Sequence, residues 1–429
     1  MVKKVHLPST FEFALLLSFL VILAALLFTT PADQGYAWYG MEILGFWKKG
    51  FWSLLEFTIQ MILILVLGHA LAISDIVNTW ITGLAGKIQN NTQAVLTTGL
   101  SALIGGYLNW GFGLILGAVL ARKIGEHAVK NNISINYHLV GASGYLGMLV
   151  WHGGLSGSAP LKVAESNHFL VEKMGTVSIA NTVFSSLNIW VNFFLIIGLI
   201  WLMYVLSSVK KFSTPLIQSI KEENSRAKGY LGIFLGLFLL VITVFELIRS
   251  VDKWSLVDLN FVNFLLLAFG LIAYKSLGSY MRGVSVALSG ASDILIQFPF
   301  YAGILGIIRH SGLMELFVNQ MAAVGDTGLF PILTFLSAAF VNFFVPSGGG
   351  QWAIQGPVMI EATLEMGLSV EKMVMVFAYG DQLTNMLQPF WALPLLAITG
   401  IPPAKLLQYT FWYFLLALVV FGTAVYFFL

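Results

Sequence analysis

Apolar runs of about 20 residues, the length that crosses the hydrocarbon core of a bilayer, recur along this chain from near its N-terminus to Leu429. Short polar and charged clusters separate them. Read by apolar length and by loops that carry charge, the pattern predicts spans over residues 11–30 and 51–73, then an amphipathic interfacial piece over 75–89. Residues 93–124 are interrupted by Gly105-Gly106-Tyr107-Leu108-Asn109-Trp110-Gly111-Phe112-Gly113, and the arms on either side are each too short to cross, which predicts a re-entrant hairpin. Residues 138–167 break at Trp151-His152-Gly153-Gly154-Leu155-Ser156-Gly157, and a clean helix follows over 182–206.

The most polar loop, residues 210–228, contains Lys210, Lys211, Lys221, Arg226 and Lys228 and divides the chain into halves over 1–209 and 229–429. Beyond it the pattern predicts helices over 230–249, 257–274 and 284–308, and an amphipathic piece over 313–324. A second hairpin over 329–366, a second broken helix over 372–400 and a last helix over 406–429 complete it. The fold class is an all-α polytopic membrane protein, with about nine transmembrane helices and two re-entrant helical hairpins.

The halves repeat each other. Glu56-Phe57-Thr58-Ile59-Gln60 returns as Asp293-Ile294-Leu295-Ile296-Gln297, and Thr98-Gly99-Leu100-Ser101-Ala102 returns as Thr334-Phe335-Leu336-Ser337-Ala338, at nearly one offset and in the same order. If each hairpin returns to the side it entered, the repeats are inverted. That threading puts the N-terminus, the 210–228 linker and the larger share of Lys and Arg in the cytoplasm, as the positive-inside bias requires. Inverted repeats with discontinuous helices at mid-depth are the pattern of secondary transporters.

Composition sharpens this. The chain is 58% hydrophobic and 10% charged, against about 25% charged in a soluble domain. A net charge of +2, spread over loops, argues against a nucleic-acid partner. Cysteine is absent, which excludes disulfides, thiolate nucleophiles and cysteine metal sites. The first apolar run follows Lys3 and Lys4 as a signal peptide would, but it is too long for an h-region and lacks a small-x-small cleavage pattern, so it is expected to be a retained span.

The candidate chemistry lies at the breaks. Pro346-Ser347-Gly348-Gly349-Gly350-Gln351-Trp352-Ala353-Ile354-Gln355-Gly356-Pro357 is expected to break the helix, since glycine and proline remove side chains, donors and helical preference together. Ser347, Gly348, Gly349, Gly350 and Gln351 would present free backbone N–H groups to an anion without a cationic side chain. Gln351 and Gln355 could face one cavity floored by Trp352. Close helix packing by small residues explains the glycines equally well, but not the amides. In the first half, Asn109, Ser143, His152 and Ser156 are the counterparts, with Ser158 beside them; His152 could titrate, hydrogen-bond a carboxylate or merely pack.

Tyr379-Gly380-Asp381-Gln382-Leu383-Thr384-Asn385-Met386-Leu387-Gln388-Pro389 carries an acid at membrane depth, which costs roughly 2.5–3.5 kcal/mol and is a functional hypothesis by default. Asp381, Thr384, Asn385 and Gln388, three or four apart, would share a face and offer oxygens to Na⁺ or one carboxylate to H⁺; polar glue between helices is the competing role. Glu56 and Asp293 are expected to make interhelical hydrogen bonds and His69 to be structural. No organic cofactor and no metal other than a coupling Na⁺ is implied.

The Pro346–Pro357 motif resembles the signature of the bacterial short-chain fatty acid transporter family, whose members accompany acetoacetate and butyrate degradation. Gly380-Asp381 followed by Asn385 and Pro389 is more loosely similar to carriers of C4-dicarboxylates and of aminobenzoyl-glutamate in the ion transporter superfamily. The resemblance covers essentially the whole chain and implies a multi-pass protein of the cytoplasmic (inner) membrane, a scaffold and a moving domain, a homodimer and an elevator-like motion. The substrate would be a small monocarboxylate, because neither interrupted core holds Lys or Arg, with Trp352 and Phe390 or Trp391 around a short alkyl tail. A passive carboxylate channel and a dicarboxylate carrier are the alternatives. An intramembrane aspartyl protease is disfavoured, since Ala378-Tyr379-Gly380-Asp381 lacks the Gly-x-Gly-Asp pattern.

Overall fold

The computed structural model describes residues 10–428 apart from 54, 167, 169, 209–228, 250–258, 289–291, 314, 317–327, 346–347 and 389. Every regular element among them is helical. The chain opens with α1 (Thr10–Phe28), α2 (Tyr36–Phe51), α3 (Leu55–Ala72) and the amphipathic α4 (Asp75–Ala85). A helical pair follows, α5 (Asn91–Leu108) and α6 (Trp110–Lys130), and then the short α7 (Tyr137–Gly144), a 3-10 turn over Leu146–Leu149, α8 (Ser158–Lys162), α9 (Val171–Met174) and the long α10 (Ser186–Ser207).

In the second half come α11 (Leu231–Arg249), α12 (Leu259–Tyr274), α13 (Leu277–Leu288) and α14 (Ser292–His310). A second pair, α15 (Phe330–Asn342) and α16 (Gly348–Glu365), precedes α17 (Val370–Leu383), a 3-10 turn over Thr384–Met386, α18 (Leu393–Thr399) and α19 (Pro403–Phe428). Ser186–Ser207, Leu231–Arg249 and Pro403–Phe427 are long and apolar enough to cross a membrane unaided, and Ala14–Phe28, Thr58–Leu71, Asn260–Tyr274 and Phe330–Asn342 are shorter apolar helices.

The elements sort into two packed groups. In one, α14 lies along α2 and α1, while α3 packs on α12 and α13, and α11 on α12. In the other, α5, α6 and α7 interlock, α15 packs on α17, and α10 and α19 flank them. Across α3 and α12, Gln60 Nε2 donates to Asn260 Oδ1 (3.0 Å) and Asn263 Nδ2 donates to Gln60 O (3.0 Å). Between these helices it is Gln60 that bonds, while Glu56 Oε1 accepts Gln60 Nε2 within α3 (3.5 Å); the side chains of Asp293 and Gln297 lie outside the description.

Four expectations change. Residues 36–51 form a helix where the sequence reads as loop, because Gly50 meets Gly306 and Ala302 O of α14 at backbone contact. The predicted helix over 284–308 corresponds to two elements, α13 and α14, and residues 289–291 lie outside the description. The first hairpin's arms are not short: α5 has 18 residues and α6 has 21, about 27 and 31 Å at the helical rise. Its glycines do not break the helices. Only Asn109 leaves the helical conformation, at φ −156° and ψ 128°, and its side chain caps α6 by accepting Phe112 N–H. The other end is set by a reciprocal cap, Asn90 Oδ1 accepting Gln93 N–H while Gln93 Oε1 accepts Gln89 N–H.

Nor does the Gly348-Gly349-Gly350 run break the second hairpin. It is the first turn of α16, which continues through Pro357 to Glu365; between the two helices the described residues 343–345 are not helical, and Pro346 and Ser347 lie outside the description. The amphipathic piece over 313–324 also falls largely outside it.

The glycines of the first hairpin serve contact between backbones. A Cβ on Gly113 would overlap Gly106 N, one on Gly117 would overlap Gly144 O, and one on Gly147 would stand 2.6 Å from Ala102 O. Helices that meet this closely gain dispersion contacts along their whole crossing. Gly117→Ala is expected to cost about 1–3 kcal/mol through overpacking and to lower the melting temperature of the detergent-solubilised protein. Gly83→Ala, where a Cβ meets nothing within 4 Å, is expected to leave it unchanged or slightly raised.

Candidate functional site

Two breaks from opposite halves meet in the interior. α17 starts on Ser369, whose Oγ accepts Lys372 N–H, and is buried from Met373 to Leu383. A Cβ on Gly380 would overlap Phe335 O of α15, so α17 lies hard against that helix, and Asp381 follows with no solvent exposure. In the first half α7 stops at Gly144, earlier than the predicted break, and the turn after the 3-10 segment delivers Trp151 and His152. His152 is likewise fully buried.

The two side chains join at 2.7 Å between His152 Nδ1 and Asp381 Oδ2, and His152 N–H donates to Gln382 Oε1 (3.1 Å). Neighbouring geometry fixes the tautomer. Ala159 N–H donates to His152 Nε2 (3.1 Å), so Nε2 carries no proton and Nδ1–H donates to the carboxyl. Asp381 Oδ1 has no hydrogen-bond partner among the described residues. A buried carboxylate with one satisfied oxygen is costly.

Other unpartnered polar atoms lie on the 150–157 turn, on α17 and the turn after it, and on α16. The donors Trp151 Nε1, Gln382 Nε2, Asn385 Nδ2 and Trp352 Nε1, and the acceptors Gln351 Oε1 and Gln388 Oε1, are buried without partners among the described residues. Each such group costs about 1–3 kcal/mol. A cluster of them, with amides and indoles but no Lys or Arg, is built to complete its bonding with something else.

Gly348, at the start of α16, faces this cluster: a Cβ there would stand 2.9 Å from the Trp151 ring, 3.0 Å from His152 Cε1 and 3.2 Å from Ser158 Oγ. Gly349 is exposed and Gly350 half-buried. The amides of α16 are placed otherwise than the sequence implies. Gln351 Nε2 donates to Ala338 O and Gln355 Oε1, and Gln355 Nε2 donates to Ser337 Oγ, a ladder that fastens α16 to α15; only Gln351 Oε1 is left over.

The remaining predicted residues divide. Asn109 spends its carbonyl on capping, while Ser156 Oγ accepts Trp110 N–H (3.0 Å) and Leu155 N–H donates to Tyr107 O, seating the hairpin tip on the first break. Ser143 uses its hydroxyl on Leu139 O and Tyr413 and is bonded to α19 rather than to the pair. Thr384, Asn385 and Gln388 do not join Asp381 in a shared hydrogen-bonded set. Asn342 Nδ2 donates to Thr384 Oγ1 and Asn385 Oδ1, Gln388 Nε2 donates to Asn385 Oδ1, and Thr384 Oγ1 donates to Ala339 O. The 3-10 turn rotates these side chains off the single helical face that their spacing predicts.

The aromatic wall also differs. Trp151 stacks on His152 at 4.4 Å and 21°, and Trp391 lies 4.8 Å from Trp110 and 6.5 Å from Trp151. Trp352 sits instead on Phe377 (5.2 Å), and Phe390 on Tyr301 (4.8 Å). Sequence reading passed over Trp110, Trp151, Gln382 and Asn342. The first three each adjoin a residue already picked out, and Asn342 is a lone amide in an apolar run.

The sequence profile of the family described as short chain fatty acid transporter matches residues 1–428. A candidate short-chain fatty acid transporter of Escherichia coli strain K12 is 35% identical over 419 residues, covering 94% of this chain and 92% of that one. Its counterpart in Haemophilus influenzae is 34% identical over 424 residues, covering 92% and 91%. Among solved structures, Neisseria gonorrhoeae MtrF, reported as illuminating a class of antimetabolite efflux pumps, aligns over 98% of this chain and 95% of its own at 15% identity and a TM-score of 0.46. The chain belongs to the short-chain fatty acid transporter family, and is therefore a membrane transport protein and not an enzyme.

Proposed function

We propose that this protein carries a short-chain monocarboxylate across the cytoplasmic membrane together with a proton held by Asp381. The observation that carries the reading is the Asp381 Oδ1 atom, buried without a partner among the described residues, with the unpartnered Gln382 Nε2 on the next residue and the unpartnered Trp151 Nε1 on the ring that stacks on His152. A substrate carboxylate brought next to an ionised Asp381 would meet a like charge in a poorly screened interior. Protonating Oδ1 removes that repulsion and supplies one more donor. Trp151 Nε1, Gln382 Nε2 and the first turn of α16 then hold the carboxylate as neutral N–H groups, and Trp110, Trp151 and Trp391 offer apolar surface to the tail. A second carboxylate on the substrate would find no cation among the residues of this cluster.

Sodium as the coupling ion is supported less well. Asn385 Oδ1 already accepts two amide N–H bonds and Thr384 Oγ1 is engaged with Ala339 O and Asn342, so of the set named from the sequence only Asp381 Oδ1 and Gln388 Oε1 are open among the described residues, fewer oxygens than a Na⁺ site needs. The inverted arrangement of the halves draws support from their matching order, in which a helical pair is followed by a helix that ends in a 3-10 turn and then a short helix. A hairpin returns to its side of entry whether its arms stop at mid-depth or cross. The N-terminus then lies in the cytoplasm. The elevator-like motion, the re-entrant depth of the hairpins and the homodimer rest on the family resemblance alone.

Uptake of labelled acetate, butyrate, acetoacetate and succinate into proteoliposomes, with pH and Na⁺ varied independently, tests this. Monocarboxylates are expected to accumulate above their gradient when the outside is acid, without Na⁺; carriage of succinate alone, or uptake that never exceeds the gradient, would overturn the carrier reading. Asp381→Asn is expected to lower acid-driven accumulation of butyrate at least tenfold, because the amide cannot take up and release the proton. Since the chain has no cysteine, single substitutions Asn131→Cys and Glu365→Cys, both at exposed hairpin ends, report topology directly. They are expected to react with an impermeant maleimide from opposite faces, and labelling from one face would end the inverted reading.

A further inference from the structure

An asparagine in the middle of the molecule is bonded to both breaks, and nothing in the sequence motifs points to it. Asn188, near the start of α10, has no solvent exposure. Its Nδ2 donates to Gly153 O (2.7 Å) and to Val183 O (2.7 Å). Its Oδ1 accepts the Tyr379 hydroxyl (3.1 Å) and Asn192 Nδ2 (3.0 Å). Both hydrogens and both lone pairs are therefore used. Two carbonyls can only accept, so the amide's orientation is dictated by its partners.

Gly153 follows His152 directly, and Tyr379 stands two residues before Asp381 on α17. One amide thus grips the backbone next to the histidine and the helix that bears the acid. Tyr379 is held from the far side by stacking on Phe421 of α19 at 5.1 Å and 5°, which leaves its hydroxyl aimed at Asn188. Gly153 has no room to turn away: a Cβ there would stand 2.7 Å from Asn188 Oδ1 and 3.2 Å from Asn192 Nδ2. Rotation of α17 by one residue, or retreat of the 150–157 turn, breaks a bond to Asn188.

We infer that Asn188 is the positioning residue of the transport site, which sets the distance and angle between His152 Nδ1 and Asp381 Oδ2 and so the protonation behaviour of the pair. The inference rests on the proton-coupled reading for its transport consequence, though not for its structural one. Aspartate cannot replace it, because the two carbonyls would lose their donors. Alanine would leave Gly153 O, Val183 O and the Tyr379 hydroxyl without partners.

The test uses full-length protein in nanodiscs and proteoliposomes, with Asn188→Ala and, because that variant risks misfolding, Tyr379→Phe, which removes one of the same bonds from the other side. ¹⁵N-histidine spectra, with the His152 signals assigned by their loss in His152→Gln, report the tautomer directly. The parent is expected to show a single Nδ1-protonated form, and the variants a mixture or a displaced Nδ1 resonance. Butyrate uptake is expected to fall about tenfold in Asn188→Ala, the scale of a lost buried hydrogen bond, with its pH profile shifted and with activity partly restored in Asn188→Ser, which can still donate. A folded variant whose His152 resonances match the parent's overturns the inference, whatever the coupling ion. If instead the resonances move but Asp381→Asn leaves the pH profile of uptake intact, Asn188 stands as the positioning residue and the proton-coupled reading fails.

Discussion

The 2.7 Å hydrogen bond between His152 Nδ1 and Asp381 Oδ2 joins the two halves of the chain, reaching from the turn where the first half has lost regular helix to the last turn of α17. Its strength comes from burial. Both side chains are withdrawn from solvent, so the polarised N–H···O contact is not diluted by water, and any misalignment leaves two expensive groups unpaired. Much of the surrounding architecture can be traced to that constraint. Gly380 lets α17 approach α15, the 150–157 turn is stapled to the first hairpin tip through Ser156, and α16 begins with glycine where a side chain would strike His152. The carbonyls freed by unwinding are not left bare either, since Tyr145 donates its hydroxyl to Asn385 O (3.1 Å).

Long apolar segments were readable because their signal depends on length and composition alone: α1, α10, α11 and α19 fall close to where the pattern puts them. The helical order of the second half, the amphipathic α4 and the pairing of helices at both glycine-rich stretches were readable too. What failed was the meaning of glycine. Runs such as Gly105-Gly106 and Gly348-Gly349-Gly350 read as breaks by intrinsic preference, yet they are helical, because tertiary contact recovers more than the preference loses. No element is placed over α2 by the pattern, and its Gly50 marks the crossing with α14.

At the site, residue types were legible and partnerships were not. A carboxyl at membrane depth singles out Asp381, and a histidine amid glycines singles out His152, but no spacing rule pairs residues so far apart in sequence. Thr384, Asn385 and Gln388 show the limit most clearly. Their spacing assumes that α17 continues, whereas it tightens into a 3-10 turn in which Asn342 Nδ2 donates to Thr384 Oγ1 and Asn385 Oδ1, and Gln388 Nε2 donates to Asn385 Oδ1. Asn188 left no trace because an amide in a transmembrane helix is ambiguous until its partners are known.

The absence of a basic side chain among the unpartnered groups has a consequence for turnover. A guanidinium or ammonium at this depth would need a permanent counter-ion, and an anion that filled that role would be released slowly. Neutral indole and amide donors bind a carboxylate more weakly and leave its charge to be balanced by something mobile. On the proposed reading that is the proton on Asp381, so the loaded site of carboxylate plus acid carries one negative charge, as does the empty site with Asp381 ionised. Loading then changes the net charge of the site by nothing. Substrate and proton arrive as a neutral pair, and the electrostatic cost of crossing the low-dielectric interior is the same in both directions. Such a carrier responds to the proton gradient through occupancy of the pair and not through the membrane potential acting on its cargo.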